Sequence, residues 1–290
     1  MRMQYSISEL CEALGLSRSG FYAWRERKAA PGGRTAENTR LKDQIKLINA
    51  HRHTRFYGSP RMTAELNAKG FSCSENRVAR LMRSEGIRAR PKKPFRPKTT
   101  QPDHAATPSP NLLAKADFPQ RPGEQLVSDI TYVPTREGWM YLAVVIDLFT
   151  RSVMGWDLSD SLCATGTIRA IQRAINSGQI LPNAIFHSDR GCQYTSQALR
   201  QAIALPQWQQ SMSAKGYCYD NAFAESYFAS LKAESFPEDG VFETRSQARI
   251  AIFDYIETFY NRRRRHSSLG MISPAQALEL YFSNQNQSTN

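Results

Sequence analysis

The sequence predicts an α/β chain: a mixed five-stranded sheet flanked by helices, preceded by a small all-α region of helix-turn-helix character. Three observations carry this. Charge is divided unevenly, with 23 Lys+Arg against 10 Asp+Glu in residues 1–120 and 15 against 16 in residues 121–290. The front of the chain reads as short helices broken by glycine and proline. From Gly123 onward, three β-branched and aromatic runs come close together and then helix alternates with strand, which is the order of a mixed sheet.

Residues 5–28 read as helix, turn, helix. Ser6 with Glu9 fits a capping box, Gly15 ends the first helix, and Ser17 caps the second. Arg18 and Arg25 decorate that second helix. A helix follows over 36–51 with Leu41, Ile45 and Ile48 inward. Ser59-Pro60 starts another, and Ser74 caps a third with Val78, Leu81 and Met82 inward and Arg77 and Arg80 outward. Residues 1–87 are therefore expected to be a helical DNA-binding region, because basic surface of this extent most often meets nucleic acid. The alternative for its arginines is a solvated helix face. Residues 88–122, with Lys92, Lys93 and repeated prolines, read as an extended basic linker following a DNA backbone, or as a plain tether.

The strands are expected at 125–134, 139–149, 151–158, 183–188 and 209–212, with helices at 164–177 and 196–205 and one containing Glu225. A long helix is expected over 244–264, with Ile250, Phe253, Ile256 and Tyr260 on its apolar side, and a last helix over 274–282. The polar residues 283–290 are expected to be a disordered tail. This gives a second domain over 123–282.

Five cysteines, an odd number with no C-x-x-C pair, argue against disulfides and structural zinc. His51 and His53 have no cysteine pair to complete a zinc site. No apolar stretch is long enough to span a bilayer, and no signal peptide opens the chain, so a cytoplasmic protein without a membrane partner is expected.

Three acids stand out. Asp129 lies inside the core-like strand Leu126-Val127-Ser128-Asp129-Ile130-Thr131, where a carboxylate is costly unless a cation meets it. Asp189 closes the run Ile185-Phe186-His187-Ser188, and Glu225 lies on an Ala-rich helix after a gap of 35 residues. Singly, each has an ordinary alternative: a turn residue for Asp189, a surface helix position for Glu225. Asp147 also ends an apolar strand run and is the main rival acid. His187 alternates to the side of Asp189, with a core histidine as the equal alternative.

The Asp, Asp, 35-residue gap, Glu pattern resembles the integrase/transposase superfamily. The wording His187-Ser188-Asp189-Arg190-Gly191-Cys192-Gln193-Tyr194, Lys215-Gly216-Tyr217-Cys218-Tyr219-Asp220-Asn221 and Tyr260-Asn261-Arg262-Arg263-Arg264-Arg265-His266 is similar to OrfB-type transposases of bacterial insertion sequences. The resemblance implies a ribonuclease-H-like core like that of retroviral integrases. It implies a place for Asp147 at the turn between the second and third strands, and so a structural role. It further implies Asp129, Asp189 and Glu225 as catalytic and metal-holding residues for two Mg²⁺ ions, with Mn²⁺ as substitute. The substrate would be double-stranded DNA, both element ends and target, cleaved and joined by strand transfer. Expected DNA contacts on this core are Lys215, Asn221, Lys232, and Arg262, Arg264 and Arg265 as a phosphate clamp. A homo-oligomer on DNA, a bacterial nucleoid location, and an OrfA partner or frameshift fusion are implied as well. The rival reading is a sequence-specific DNA-binding regulator on an inactive integrase-like fold. A tyrosine recombinase leaves the acids unexplained, and no serine with arginine partners supports a serine recombinase.

Overall fold

The computed structural model describes residues 5–29, 33–89, 109–213 and 222–288. Lys92 and Lys93 of the linker, and Lys215 and Asn221 ahead of the Glu225 helix, lie outside these. Two compact units divide the chain, Met1–Arg90 and Pro91–Asn290.

The first unit is all-α. Helix α1 (Ile7–Ala13) opens with the expected capping box: the Glu9 N–H donates to Ser6 Oγ at 3.3 Å and the Ser6 N–H donates back to Glu9 Oε2 at 2.7 Å. Helix α2 (Arg18–Ala29) is capped by Ser17, whose Oγ accepts from the Gly20 N–H. The core of the unit belongs to α3 (Gly33–Ala50), α4 (Ser59–Ala68) and α5 (Glu75–Ser84), which bury Leu41, Ile45, Ile48, Met62, Leu66, Val78, Leu81 and Met82 together. Burial of each such side chain contributes roughly 1.5–3 kcal/mol before conformational entropy is charged. The N-cap of α4 is Gly58 rather than Ser59, which shifts Pro60 by one position without changing its suitability for the first turn.

The second unit carries the sheet. Strands β1 (Gln125–Thr135), β2 (Gly138–Asp147) and β3 (Val153–Ser159) form an antiparallel meander. Helix α6 (Ala164–Asn176) returns the chain to β4 (Ile185–Ser188), and the short α7 (Cys192–Thr195) and α8 (Gln197–Ala204) lead to β5 (Gln209–Met212). Strand order is β3-β2-β1-β4-β5, with β4 parallel to β1 and β5 parallel to β4. This is the expected mixed, ribonuclease-H-like sheet. Leu126, Val145, Ala170, Ile171, Phe186, Leu199 and Ile203 share one core cluster. Gly155 lets α6 approach, since a β-carbon there would stand 2.1 Å from the Ala170 carbonyl oxygen.

Helix α9 (Ala222–Ser235), helix α10 (Arg245–Phe253) with a π-helical continuation over Asp254–Tyr260, and helix α11 (Pro274–Ser288) complete the unit. Three expectations need correction. Ile250 and Phe253 do not face the core: they are 64% and 55% exposed, and the buried stripe is Ala248, Ala251, Ile252, Tyr255, Ile256, Phe259 and Tyr260. The wider π turn changes the period in mid-element, so a single 3.6-residue stripe drawn through 250, 253, 256 and 260 joins two faces. Residues 283–288 continue α11 instead of forming a tail, because nothing in them breaks a helix. The end of the expected linker is docked: Met212 donates its N–H to the Pro110 carbonyl, and Leu112 and Leu113 donate theirs to Ser211 Oγ.

Candidate active site

Strand β1 is central, flanked by β2 on one side and β4 on the other. Its odd-numbered residues share a face, so Asp129 lies on the side of Val127, Thr131 and Val133. The parallel register pairs Val127 with His187. Two residues further along each chain come Asp129 and Asp189, the latter just past the end of β4. A turn fixes Asp189: its Oδ1 accepts from the Gly191 N–H at 2.9 Å. A β-carbon at Gly191 would press on that same oxygen at 3.0 Å. Glu225 is exposed in the first turn of α9, which buries Ala224, Tyr227, Phe228 and Leu231.

The electrostatics tie these groups together. Burial raises the Asp129 carboxyl to about 8; the negative charges of Asp189 and then Glu225 add to the rise, while the Ile130 N–H (2.8 Å) and Lys232 oppose it. Lys232, half-buried two turns after Glu225, is lowered by burial to about 8, and the charge of Asp129 opposes that fall. Burial, with the charges of Asp189 and Glu225, therefore disfavours the ionised form of Asp129. All the acidic donors of the site are carboxylate oxygens, which suits a hard divalent cation. Among the described residues no three His, Cys, Asp or Glu groups are already gathered tightly enough to hold one ion.

Tyr194 is a member of this region that sequence reasoning missed. Fully buried, it bonds Ser128 at 2.9 Å, and burial together with the charges of Asp129 and Asp189 drives its phenol well above the usual range. A helical tyrosine five residues after an acid gives no sequence signal of this. His187 is a core histidine: wholly buried, its two ring nitrogens meet Ser211 Oγ at 2.8 Å and Ser213 Oγ at 3.1 Å. Asp147 is the structural carboxylate expected. Its Oδ1 accepts from the Gly123 N–H, and its Oδ2 accepts from both the Thr150 N–H and hydroxyl.

The expected DNA contacts divide. Arg18, Arg25, Arg80 and Arg262 are exposed, with Arg25 lying over the Tyr22 ring at 4.8 Å. Arg77 is engaged within its own unit, donating to Glu37 and to Asn38 Oδ1. Arg265 donates to the Met271 carbonyl. Arg264 is a correction. It is 2% exposed and donates Nε and Nη2 to the two oxygens of Glu234, each at 2.7 Å, while Tyr255 donates its hydroxyl to the same carboxylate. A guanidinium whose fork is filled by a buried glutamate does not clamp a phosphate. It fastens the far end of α9 to the π-helical stretch.

Comparison with known proteins agrees with this architecture. Two models described as integrase core domain match residues 119–218 and 207–274, and one described as HTH-like domain matches residues 36–95. The HTH-like match covers Arg77 and Arg80 but not α1 and α2. The chain is 40% identical over 278 residues, 94% of each protein, to the transposase InsF for insertion sequence IS3A of Escherichia coli (strain K12). It is 40% identical over 273 residues to the insertion element IS600 uncharacterized 31 kDa protein of Shigella sonnei, covering 94% of this chain and 98% of that one. Likeness to solved structures is looser: 16% identity and a TM-score of 0.40 to the HTLV-2 integrase catalytic core domain in complex with magnesium, over 55% of this chain and 98% of that one. The extent of the InsF match, over a chain that folds as a helical unit followed by an integrase core, shows that this protein belongs to the family of insertion-sequence transposases.

Proposed function

We propose that this transposase binds the terminal sequences of its insertion element, frees a 3′-hydroxyl there, and joins it to a phosphodiester of target DNA, with Asp129, Asp189 and Glu225 as the catalytic carboxylates. The observation that carries this is the coupling of Asp129 to Asp189 and Glu225. An acid raised to about 8 by burial and its neighbours is one whose ionised form awaits a cation. Asp129 and Asp189, side by side at the sheet centre, would hold Mg²⁺, or Mn²⁺ in its place, with Glu225 joining from α9. Two such ions supply charge neutralisation at the phosphoryl group and activation of the attacking hydroxyl.

The chain's own residues do the rest. The half-buried Lys232 balances part of the negative charge of the site. Buried Tyr194 and His187 stiffen the floor under both strands. The cationic first unit supplies sequence-independent attraction to the phosphate backbone, with the HTH-like helices reading the ends. Action as a homo-oligomer on DNA, with an OrfA protein as partner or fusion, belongs to the same proposal.

The test is joining of an oligonucleotide that carries the element's end to a target duplex, with and without Mg²⁺. Metal-dependent joining that disappears in Asp129→Asn, Asp189→Asn or Glu225→Gln is the expected result. Full activity in any one of the three would remove that residue from the site.

A further inference from the structure

Arg151 occupies the turn between β2 and β3 with φ at +64°. Residues bearing a β-carbon rarely adopt that conformation, and glycine or asparagine adopts it far more readily. The turn is held from three sides: Arg151 donates its N–H to the Asp147 carbonyl, Asp147 donates its own N–H to the Ser152 carbonyl, and Tyr260 donates its hydroxyl to the Arg151 carbonyl at 3.1 Å. The side chain is held too. Its guanidinium carbon stands 4.1 Å from the centre of the Phe223 ring and 5.4 Å from that of Phe118. Phe223 belongs to the first turn of α9, two residues before Glu225.

Nη1 of Arg151 is buried and has no hydrogen-bond partner. The other arginines of this unit that are not exposed each meet a carbonyl or carboxylate: Arg190 the Ser213 carbonyl, Arg245 the Asp160 carboxylate, Arg264 Glu234, and Arg265 the Met271 carbonyl. Asp147 is the acid whose charge reaches Arg151, but its oxygens are committed to Gly123 and Thr150. Burial accordingly pushes the guanidinium below its ordinary pKa. A cation kept half-desolvated, with the oxygens of its nearby acid bonded elsewhere, in a strained turn that glycine would relax is a cost to the fold.

We propose that Arg151 is a DNA phosphate-binding residue, pre-oriented by Phe118 and Phe223 to seat one backbone phosphate beside the start of the Glu225 helix. The proposal rests on the strand-transfer reading of the site. A planar guanidinium with an unbonded Nη1 suits the oxygens of a phosphodiester. The rival is a purely structural strut between the two rings.

The experiment uses the full chain and a duplex ending in the element's terminal sequence. Arg151→Gly removes the guanidinium while relieving the backbone, and Arg151→Asn introduces a second residue type at home at that φ. Binding is measured against salt, and on duplexes with single neutral methylphosphonates placed along each strand. The expected loss is roughly tenfold in affinity for either variant, with the slope of log affinity against log salt reduced by about one. One methylphosphonate position should weaken the wild type by a similar factor and leave the variants unaffected. Variants that keep their thermal melt yet bind with unchanged affinity and salt slope overturn the proposal. So does a methylphosphonate series in which no position distinguishes wild type from variant, the signature of a strut. A wild type that binds no end duplex would instead refute the strand-transfer reading beneath it.

Discussion

Replacing Asp129 by asparagine should remove activity and yet stabilise the metal-free protein. The folded carboxyl titrates near 8 against 3.8 in an ordinary environment, chiefly through burial and the charge of Asp189. A raised acid favours the folded state while protonated. That advantage is complete below pH 3.8 and is lost as pH climbs to about 8. At about 1.36 kcal/mol for each pH unit, the rise sets a ceiling of about 6 kcal/mol. Solvent screening of a half-buried group reduces this to about 2–3 kcal/mol. Asparagine keeps the shape without the charge, so at pH 8 without divalent ions the variant should melt about 5–10 °C above wild type. The gap should narrow steadily toward pH 4.5. Lys232 does not confuse the window, because its ammonium stays charged up to about 8. Added Mg²⁺ should raise the wild-type melt and leave the variant's nearly unmoved, since only a native state that binds the ion gains from it. The assay is a set of thermal melts by circular dichroism across pH 4.5–8, with and without Mg²⁺. An Asp129→Asn variant that melts at or below the wild type at pH 8 would refute the claim that burial and the neighbouring acids make an ionised Asp129 costly to the fold.

Other perturbations separate structural from DNA-facing residues. Arg264→Leu leaves Glu234 buried and uncompensated and should cost about 3–5 kcal/mol in urea unfolding, with the salt slope of DNA binding unchanged. Asp147→Ala strips the acceptors from Gly123 and Thr150 and should cost about 2–4 kcal/mol in the same measurement, without altering the Mg²⁺ concentration needed for joining. Lys232→Ala should weaken end binding by about 1 kcal/mol or more in a fluorescence titration. Because its charge also supports ionised Asp129, it should shift the pH profile of joining upward. Deleting residues 1–90 should leave a cooperatively melting core whose end binding, followed by the same titration, has a much shallower dependence on salt.

Much of this molecule was legible in its sequence where one local rule decides the outcome. Ser6 and Glu9 satisfy each other within one turn of helix, and one oxygen of Asp147 caps its own turn at Thr150, so neither of these contacts needs tertiary knowledge. The unbroken apolar run Leu142–Ile146 announces a strand buried on both faces, and it lies second in the sheet. Spacing and resemblance single out the three acids as candidates, but the coupling of Asp129 to Asp189 follows from a parallel register that no local pattern encodes. Arg264 was misread for a related reason. Four consecutive arginines look like one basic feature, whereas they lie in the turn and irregular chain after the π-helical stretch, and Glu234, thirty residues earlier, selects one of them. The apolar face over 244–260 failed because a π turn cannot be seen in a hydrophobic pattern that assumes one period. Arg151 was silent: nothing in Phe149-Thr150-Arg151-Ser152 signals a left-handed residue between two distant phenyl rings.

The docking of residues 109–113 along β5 bears on how the core behaves in isolation. β5 is the last strand of the sheet, and its outer rim would otherwise offer unpaired amide and carbonyl groups to any extended chain that met it. Pro110, Leu112 and Leu113 occupy part of that rim by bonding to Met212 and Ser211. The segment thus acts as a selvedge. A fragment trimmed to begin at Gly123 would keep all three candidate acids and all five strands, yet it would expose a sticky border. It should be markedly less soluble than one beginning at Ser109, although the two differ by only fourteen residues that add no strand to the sheet.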